Sequence, residues 1–277
     1  MRAVLCEAVA KCIPFDSPGI PTCVWMKRSA SSYHLSMTEQ PPSVSDPINP
    51  PDASVAEMIV SEPRAAARTR WAETVFFVSL CVYAVLAVLA HRYAYFDWDL
   101  SLARSIQSIS IPGFETAMSG VSLFGNGWIA WPLVAVAGIA LMKTGLRAEG
   151  AICMAGAGSG WFVNQLLKLS IGRPRPSDAL VNVAGTFHFE SFPSGHVVFF
   201  VEFFGFLLFL ALVLLKRGPL RHTTLIVLGL LLALVGVSRV YLGAHWPSDV
   251  VGAYLAGGIW LMLMIEVYRR IKAKRRR

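Results

Sequence analysis

The stretch Ser238-Arg239-Val240-Tyr241-Leu242-Gly243-Ala244-His245-Trp246-Pro247-Ser248-Asp249 lies between two strongly apolar runs. A hydrophobic helix ending at such a place leaves the bilayer and a second one returns. Pro247, free of any need for an amide N–H, suits the first turn of the returning helix. Read this way, the stretch makes the chain a helical membrane protein. It also carries Arg239, His245 and Asp249 in close order. Ionisable groups at a membrane boundary need partners, and they mark a site. Taken alone, the stretch equally fits an interfacial loop with a snorkelling Arg and a surface His.

The composition supports the membrane reading. Of 277 residues, 55% are hydrophobic and 15% charged, with a mean hydropathy of +0.55. Soluble domains carry more charge than this. Six apolar segments follow one another at 71–90, 127–142, 151–170, 196–215, 223–239 and 247–267. Most approach the roughly 20 residues that span a bilayer. The second is short and calls for tilt or extension. The expected fold is all-α, a polytopic six-transmembrane helical bundle.

The net charge of +8 is sorted by loop. Arg64, Arg68 and Arg70 precede the first segment. Lys143 and Arg147 follow the second, and Lys216, Arg217 and Arg221 follow the fourth. Arg269, Arg270, Lys272, Lys274, Arg275, Arg276 and Arg277 follow the sixth. With six alternating spans, all four clusters fall on one side. The positive-inside rule makes that side cytoplasmic, with both termini. The charge therefore orients the chain in a membrane, as in a bacterial inner membrane, and is no nucleic-acid signature.

Residues 1–70 are expected to form a disordered extension, 71–268 the membrane domain and 269–277 a basic tail. Segment 40–55 is rich in Pro, Ser and Asp, which opposes folding. Residues 1–36 read as a dispensable extension or as the product of a start upstream of Met37. The five cysteines show no metal or disulfide spacing, and Cys81 and Cys153 read as packing residues. Within the outer loop 91–126, Leu102, Ile106 and Ile109 suggest an interfacial helix. Asp97 and Asp99 beside it read as solvated carboxylates or an N-cap. Gly156 and Gly160 make a close-packing pair. Asn164 and Gln165 suggest interhelical hydrogen bonds. Glu202, a carboxyl inside a span, is a functional candidate without an assigned role.

The outer face collects the remaining polar groups. Lys168 ends the third segment, and Gly172-Arg173-Pro174-Arg175-Pro176 forms a stiff turn. Phe192-Pro193-Ser194-Gly195-His196 opens the fourth segment, and Arg239, His245 and Asp249 complete the set. Lys168, Arg175 and Arg239 supply three positive charges, and guanidinium forks match phosphate oxygens. Ser194 and Gly195 offer a hydroxyl and an unhindered N–H at a helix N-terminus, a natural anion site. Asp249 can orient His245 and free its other nitrogen to attack phosphorus. His196 is then available as general acid. Arg173 reads as an accessory cation, not an essential one.

Lys168 with Arg175-Pro176, Pro193-Ser194-Gly195-His196, and Ser238-Arg239 with His245 and Asp249 together resemble the three-part signature of the type 2 phosphatidic acid phosphatase superfamily. The resemblance covers about 90–267. It implies a six-helix membrane core, a phosphohistidine intermediate and no metal or other cofactor. It implies His245 as nucleophile, Asp249 as its orienter and His196 as acid. Lys168, Arg175, Ser194, Gly195 and Arg239 would bind phosphate. One departure is the bulky run 197–204 with Glu202, where many relatives look smaller; it bears on the lipid entrance.

The expected function is hydrolysis of a lipid phosphate or diphosphate at the outer membrane face, with the bilayer and the lipid as partners. Undecaprenyl diphosphate, phosphatidic acid and phosphatidylglycerol phosphate are the candidate substrates. A lipid phosphotransferase working through the same phosphohistidine is one alternative. A lipid-binding or transport protein without catalysis is another, disfavoured by an intact His245, Asp249 and His196. A haloperoxidase does not suit a membrane-embedded chain.

Overall fold

The computed structural model describes residues 53–275, which form helices and the loops between them. In chain order these are α1 (Ala53–Arg92), α2 (Asp97–Gln107), α3 (Phe114–Leu123), α4 (Gly127–Lys143), α5 (Arg147–Ile171), α6 (Gly195–Leu214), α7 (Pro219–Tyr241) and α8 (Pro247–Arg275). The expectations for 1–52, including the origin of 1–36, lie outside the described residues.

Four stretches are long and apolar enough to cross a bilayer: Arg70–Arg92 of α1, and α6, α7 and α8. The expected second segment, α4, has only 17 residues. It is preceded by α3 at a bend of 58°, and the pair together makes a fifth candidate. The chain turns there at Phe124-Gly125-Asn126. Helix α5 is long enough at 25 residues but carries too many glycines and polar groups to stand out by hydropathy. Its small residues serve packing. A side chain at Gly156 would collide with Met264 of α8, and one at Gly160 with Glu202 of α6. The chain is an integral membrane protein of all-helical class.

Helix α6 is the axis of the bundle and packs against α5, α7 and α8. Phe200, Phe203 and Phe206 are fully enclosed. Phe199, Phe200, Phe203 and Phe204 form one cluster of stacked and edge-to-face rings, and Phe206 stacks on Phe209. Polar ties lock its neighbours together. Tyr254 of α8 donates to the Leu232 carbonyl of α7 at 2.5 Å. Trp260 donates to the Gly156 carbonyl of α5 at 3.2 Å. Ser238 of α7 donates to the Met118 carbonyl of α3 at 2.6 Å. Helix α1 instead touches the bundle along one stripe, where Tyr83 and Ala90 meet Ile171 and Phe192. Its Val78, Val82, Val85 and Leu89 face outward, as lipid-facing residues do.

Several expectations are corrected. Helix α1 extends further toward the N-terminus than the apolar segment, from Ala53, while its apolar part, Arg70–Arg92, agrees with the segment expected at 71–90. A helix does form in the loop, α2, but it ends at Gln107, short of Ile109, and packs on α7 and α8. Asp99 is not solvated: it is fully buried, although its Oδ2 does accept the Phe96 N–H at 3.1 Å in the manner of a helix cap. Cys81 is exposed on α1, whereas Cys153 is buried as expected.

Candidate active site

The site lies where α5, α6, α7 and α8 end on one side of the bundle. Each end is shaped by its own sequence. Gly172 terminates α5 in a left-handed conformation, φ 65°, which glycine adopts without steric cost. The chain then runs through the Arg-Pro pairs into the loop 172–194. Pro247 starts α8. Gly243, also left-handed at φ 65°, passes so close to the Asn182–Val183 backbone that a side chain there would collide.

His245 is buried in the loop before α8. Its Nδ1 faces Asp249 Oδ2 at 3.6 Å, too far for a well-formed hydrogen bond. Ser191 closes the gap. Its hydroxyl lies 3.4 Å from Nδ1 and donates to Asp249 Oδ2 at 2.5 Å. The Trp246 N–H reaches the same oxygen at 2.9 Å. Nδ1 thus turns to the acidic side, and Nε2 turns to Arg175, whose Nη1 is 3.3 Å away. Burial, followed by the charges of Lys168, Arg175 and Arg239, holds the His245 imidazole well below the usual histidine range. The neutral ring is the nucleophilic form.

Arg175 is held by three carbonyls: Ala244 at 2.7 Å, Phe189 at 2.8 Å and His188 at 2.9 Å. Burial lowers its pKa from the ordinary arginine value. Arg239 of α7 hydrogen-bonds Ser122 of α3 through Nη1, and its Nε has no partner. Phe187 carries both guanidinium groups on its ring, at 5.6 Å for Arg175 and 5.3 Å for Arg239. Lys168 is buried and donates to the Glu190 carbonyl at 2.5 Å. Ser194 is enclosed and its hydroxyl is unpartnered. Gly195 begins α6 beside Asn164. His196 follows, with Nε2 3.1 Å from Asn126 Oδ1. Its ring lies where a side chain on Gly125 would fall. Arg239, His245, Arg175 and Lys168 all lie within electrostatic reach of it.

All eight residues singled out in the sequence therefore converge. Several that matter were missed or undervalued. Arg173 is the largest correction. It is buried and bridges Asp249 and Asp99, at 2.5 and 3.0 Å. Its Nη1 also reaches Ser248 Oγ at 2.7 Å, and its guanidinium lies over Phe96. Asp99 in turn accepts the Ser248 N–H and hydroxyl, both at 2.7 Å. Arg173 is structural to the acidic partner of His245, not accessory. Asn126, Ser122, Ser191 and Phe187 were missed because each lies in a loop or helix end with no spacing signal. The interhelical hydrogen bond expected of Asn164 is not made by its Oδ1, which is buried without a partner.

Three basic side chains, a helix N-terminus and two histidines thus surround one buried spot in a membrane protein. A family model described as the PAP2 superfamily matches residues 149–273. The chain is 28% identical to phosphatidylglycerophosphatase B of Bacillus subtilis, over 70% of this chain and 95% of that one. It is 33% identical to a lipid A 1-phosphatase of Rhizobium etli, over 48% and 60%. It is 30% identical to decaprenylphosphoryl-5-phosphoribose phosphatase of Mycobacterium tuberculosis, over 55% and 80%. The crystal structure of a transmembrane PAP2 type phosphatidylglycerolphosphate phosphatase from Bacillus subtilis superposes with a TM-score of 0.62 at 25% identity, covering 71% of this chain and 96% of that one. The chain belongs to the PAP2 superfamily. Its relatives are phosphatases by name, and it is a phosphatase of the same superfamily.

Proposed function

We propose that the protein hydrolyses lipid phosphates or diphosphates through a phosphohistidine on His245, on the non-cytoplasmic side of a six-span bundle formed by α1, α3 with α4, α5, α6, α7 and α8. The observation that carries this reading is the arrangement of His245: Nδ1 toward Ser191 and Asp249, Nε2 beside Arg175.

A phosphoryl group gripped by Arg175, Arg239 and Lys168 lies against Nε2. The cations and the α6 N-terminus meet the charge that spreads over the equatorial oxygens. The Nε2 lone pair forms the P–N bond as the P–O bond to the lipid breaks. The leaving oxygen takes a proton from His196. Asp249, fixed by Arg173, stabilises the imidazolium character that develops on His245. Water, deprotonated by His196, then attacks phosphorus. The P–N bond breaks, inorganic phosphate leaves, and both histidines return to their starting states.

The relatives named above act on three different lipids, so a common headgroup pocket with variable tail contacts fits the proposal. The test is phosphate release by purified protein from pure phosphatidic acid, phosphatidylglycerol phosphate and undecaprenyl diphosphate in detergent. Turnover of at least one, with an acid-labile phosphoenzyme, is expected. No turnover of any lipid phosphate overturns the reading. Transfer of label to a second lipid instead of water would identify a phosphotransferase.

A further inference from the structure

Glu202 has no part in the chemistry described so far, yet it is buried in α6 at 2% exposure. It lines a cavity of about 160 Å³ together with His196, Asn164, Gln165, Phe199 and Trp161. The cavity thus reaches His196, the proposed general acid. Trp131 and Trp161, in edge-to-face contact at 5.9 Å, line it and are exposed at the bundle surface. They flank its mouth toward lipid.

Polar positions on α5 descend from the site toward this cavity, which Asn164 lines and Lys168 does not. On α5, Lys168, Asn164 and Gly160 are spaced by four residues. Each step descends about 6 Å at a rise of ~1.5 Å per residue. Lys168 stands at the phosphate level. Asn164 comes next, beside Gly195, with its Oδ1 lacking a donor. Gly160 comes third, and only its missing side chain leaves room for the Glu202 carboxyl. The rest of the cavity wall is apolar, formed by Ala130, Ala157, Val198 and Phe199 with the two tryptophans.

Among the described residues, no hydrogen bond or ion pair to Glu202 is formed. An unpaired carboxylate in hydrocarbon is costly, whereas the neutral acid is a hydrogen-bond donor. The ligand that suits the cavity therefore has oxygens just below its phosphate and apolar chains beyond. A diacylglycerol phosphate has them, in its glycerol oxygens and ester carbonyls. A polyprenyl chain offers only hydrocarbon and would leave both polar groups unmatched.

We propose that this cavity receives the glycerol ester region of the substrate and that Glu202 makes the enzyme selective for glycerolipid phosphates over polyprenyl ones. The proposal rests on the lipid phosphatase reading and narrows it. A matched hydrogen bond here is worth on the order of tenfold in kcat/KM.

The experiment compares full-length protein on a diacylglycerol phosphate, the matching dialkyl ether phosphate without carbonyls, and a polyprenyl phosphate, in the same detergent. The wild type is expected to favour the diester over the diether by about tenfold or more. Glu202→Leu should remove that preference by losing activity on the diester alone. Glu202→Gln, which keeps a donor, should stay near wild type. Equal wild-type kcat/KM for ester and ether overturns the proposal, even if Glu202→Leu does not fold. So does an equal loss on all three substrates in Glu202→Leu. Absence of wild-type turnover on every lipid phosphate instead overturns the phosphatase reading, and this proposal with it.

Discussion

Arg173 Nη1 lies 2.5 Å from Asp249 Oδ1, and both side chains are fully enclosed. The acidic partner of His245 is thus held from behind by a residue that never faces the phosphate site directly. The same guanidinium holds Asp99, so one cation balances two buried carboxylates. Arg173→Ala is expected to leave both uncompensated. Removing one partner of a buried pair costs roughly 3–5 kcal/mol, seen as a large fall in thermal midpoint in detergent. Arg173→Lys keeps the charge but cannot fork between Asp249 and Asp99. It should fold, yet form phosphoenzyme on the order of a hundredfold more slowly through misplacement of His245. Wild-type rates in Arg173→Lys would show that the clamp does not position the nucleophile.

Why this was only partly legible follows from where the information sits. Lys168, Arg175, His196, Arg239, His245 and Asp249 stand at helix ends or in the loops just beyond them, in short spacings that stay recognisable without a structure. The spans were legible wherever hydropathy was high, as in α6. Segments 151–170 and 127–142 were legible as well and lie within α5 and α4, whereas the short helix α3 ahead of α4 was not, because a bend of 58° separates the two. The role of Asp99 was illegible because 74 residues separate it from Arg173. A carboxylate beside aromatic residues at a loop gives no local sign of being buried. The same holds for Ser191, whose bond to Asp249 spans 58 residues.

Orientation is open to a labelling experiment. By the positive-inside rule, the basic clusters predict Lys168, His196 and His245 on the non-cytoplasmic side. Ala184 is exposed in the loop between α5 and α6. A cysteine placed there, in a chain lacking native cysteines, should react with an impermeant thiol reagent in intact cells. Protection until lysis would invert the topology.

Metal removal should leave the reaction intact. Charge neutralisation falls to Lys168, Arg175 and Arg239, so activity is expected to persist in excess EDTA. Vanadate should inhibit, since it mimics five-coordinate phosphorus. Loss of activity in EDTA with rescue by magnesium would contradict the mechanism.

The charge state of His245 gives a pH prediction. Burial and three nearby cations disfavour its protonated form. An ordinary histidine is half protonated near pH ~6.5. His245, with its affinity for a proton lowered, should remain neutral as the pH falls through that value and take up a proton only in more acid solution. Nitrogen NMR of labelled histidine, assigned with His245→Ala, would read this directly. A midpoint at or above pH ~6.5 would mean that Asp249 outweighs the cations and burial.

The two histidines separate by leaving group. With His245 as nucleophile, His245→Ala should lose both turnover and phosphoenzyme on every substrate. The importance of His196 depends on what departs. The alkoxide of phosphatidic acid needs a proton as its bond to phosphorus breaks, so His196→Ala should cost roughly a hundredfold or more there. The monophosphate that leaves a lipid diphosphate is already a stable anion and needs the proton far less, and a nitrophenolate needs it less still. His196→Ala should therefore still become phosphorylated by activated substrates, and then stall, because the water that completes the cycle lacks its base. The measurement is acid-labile label on the protein after rapid quenching. Label trapped on His196→Ala and absent from His245→Ala is the expected pattern. The reverse pattern would exchange the two roles, and would require Nε2 of His245, now beside Arg175, to face the leaving oxygen instead of phosphorus.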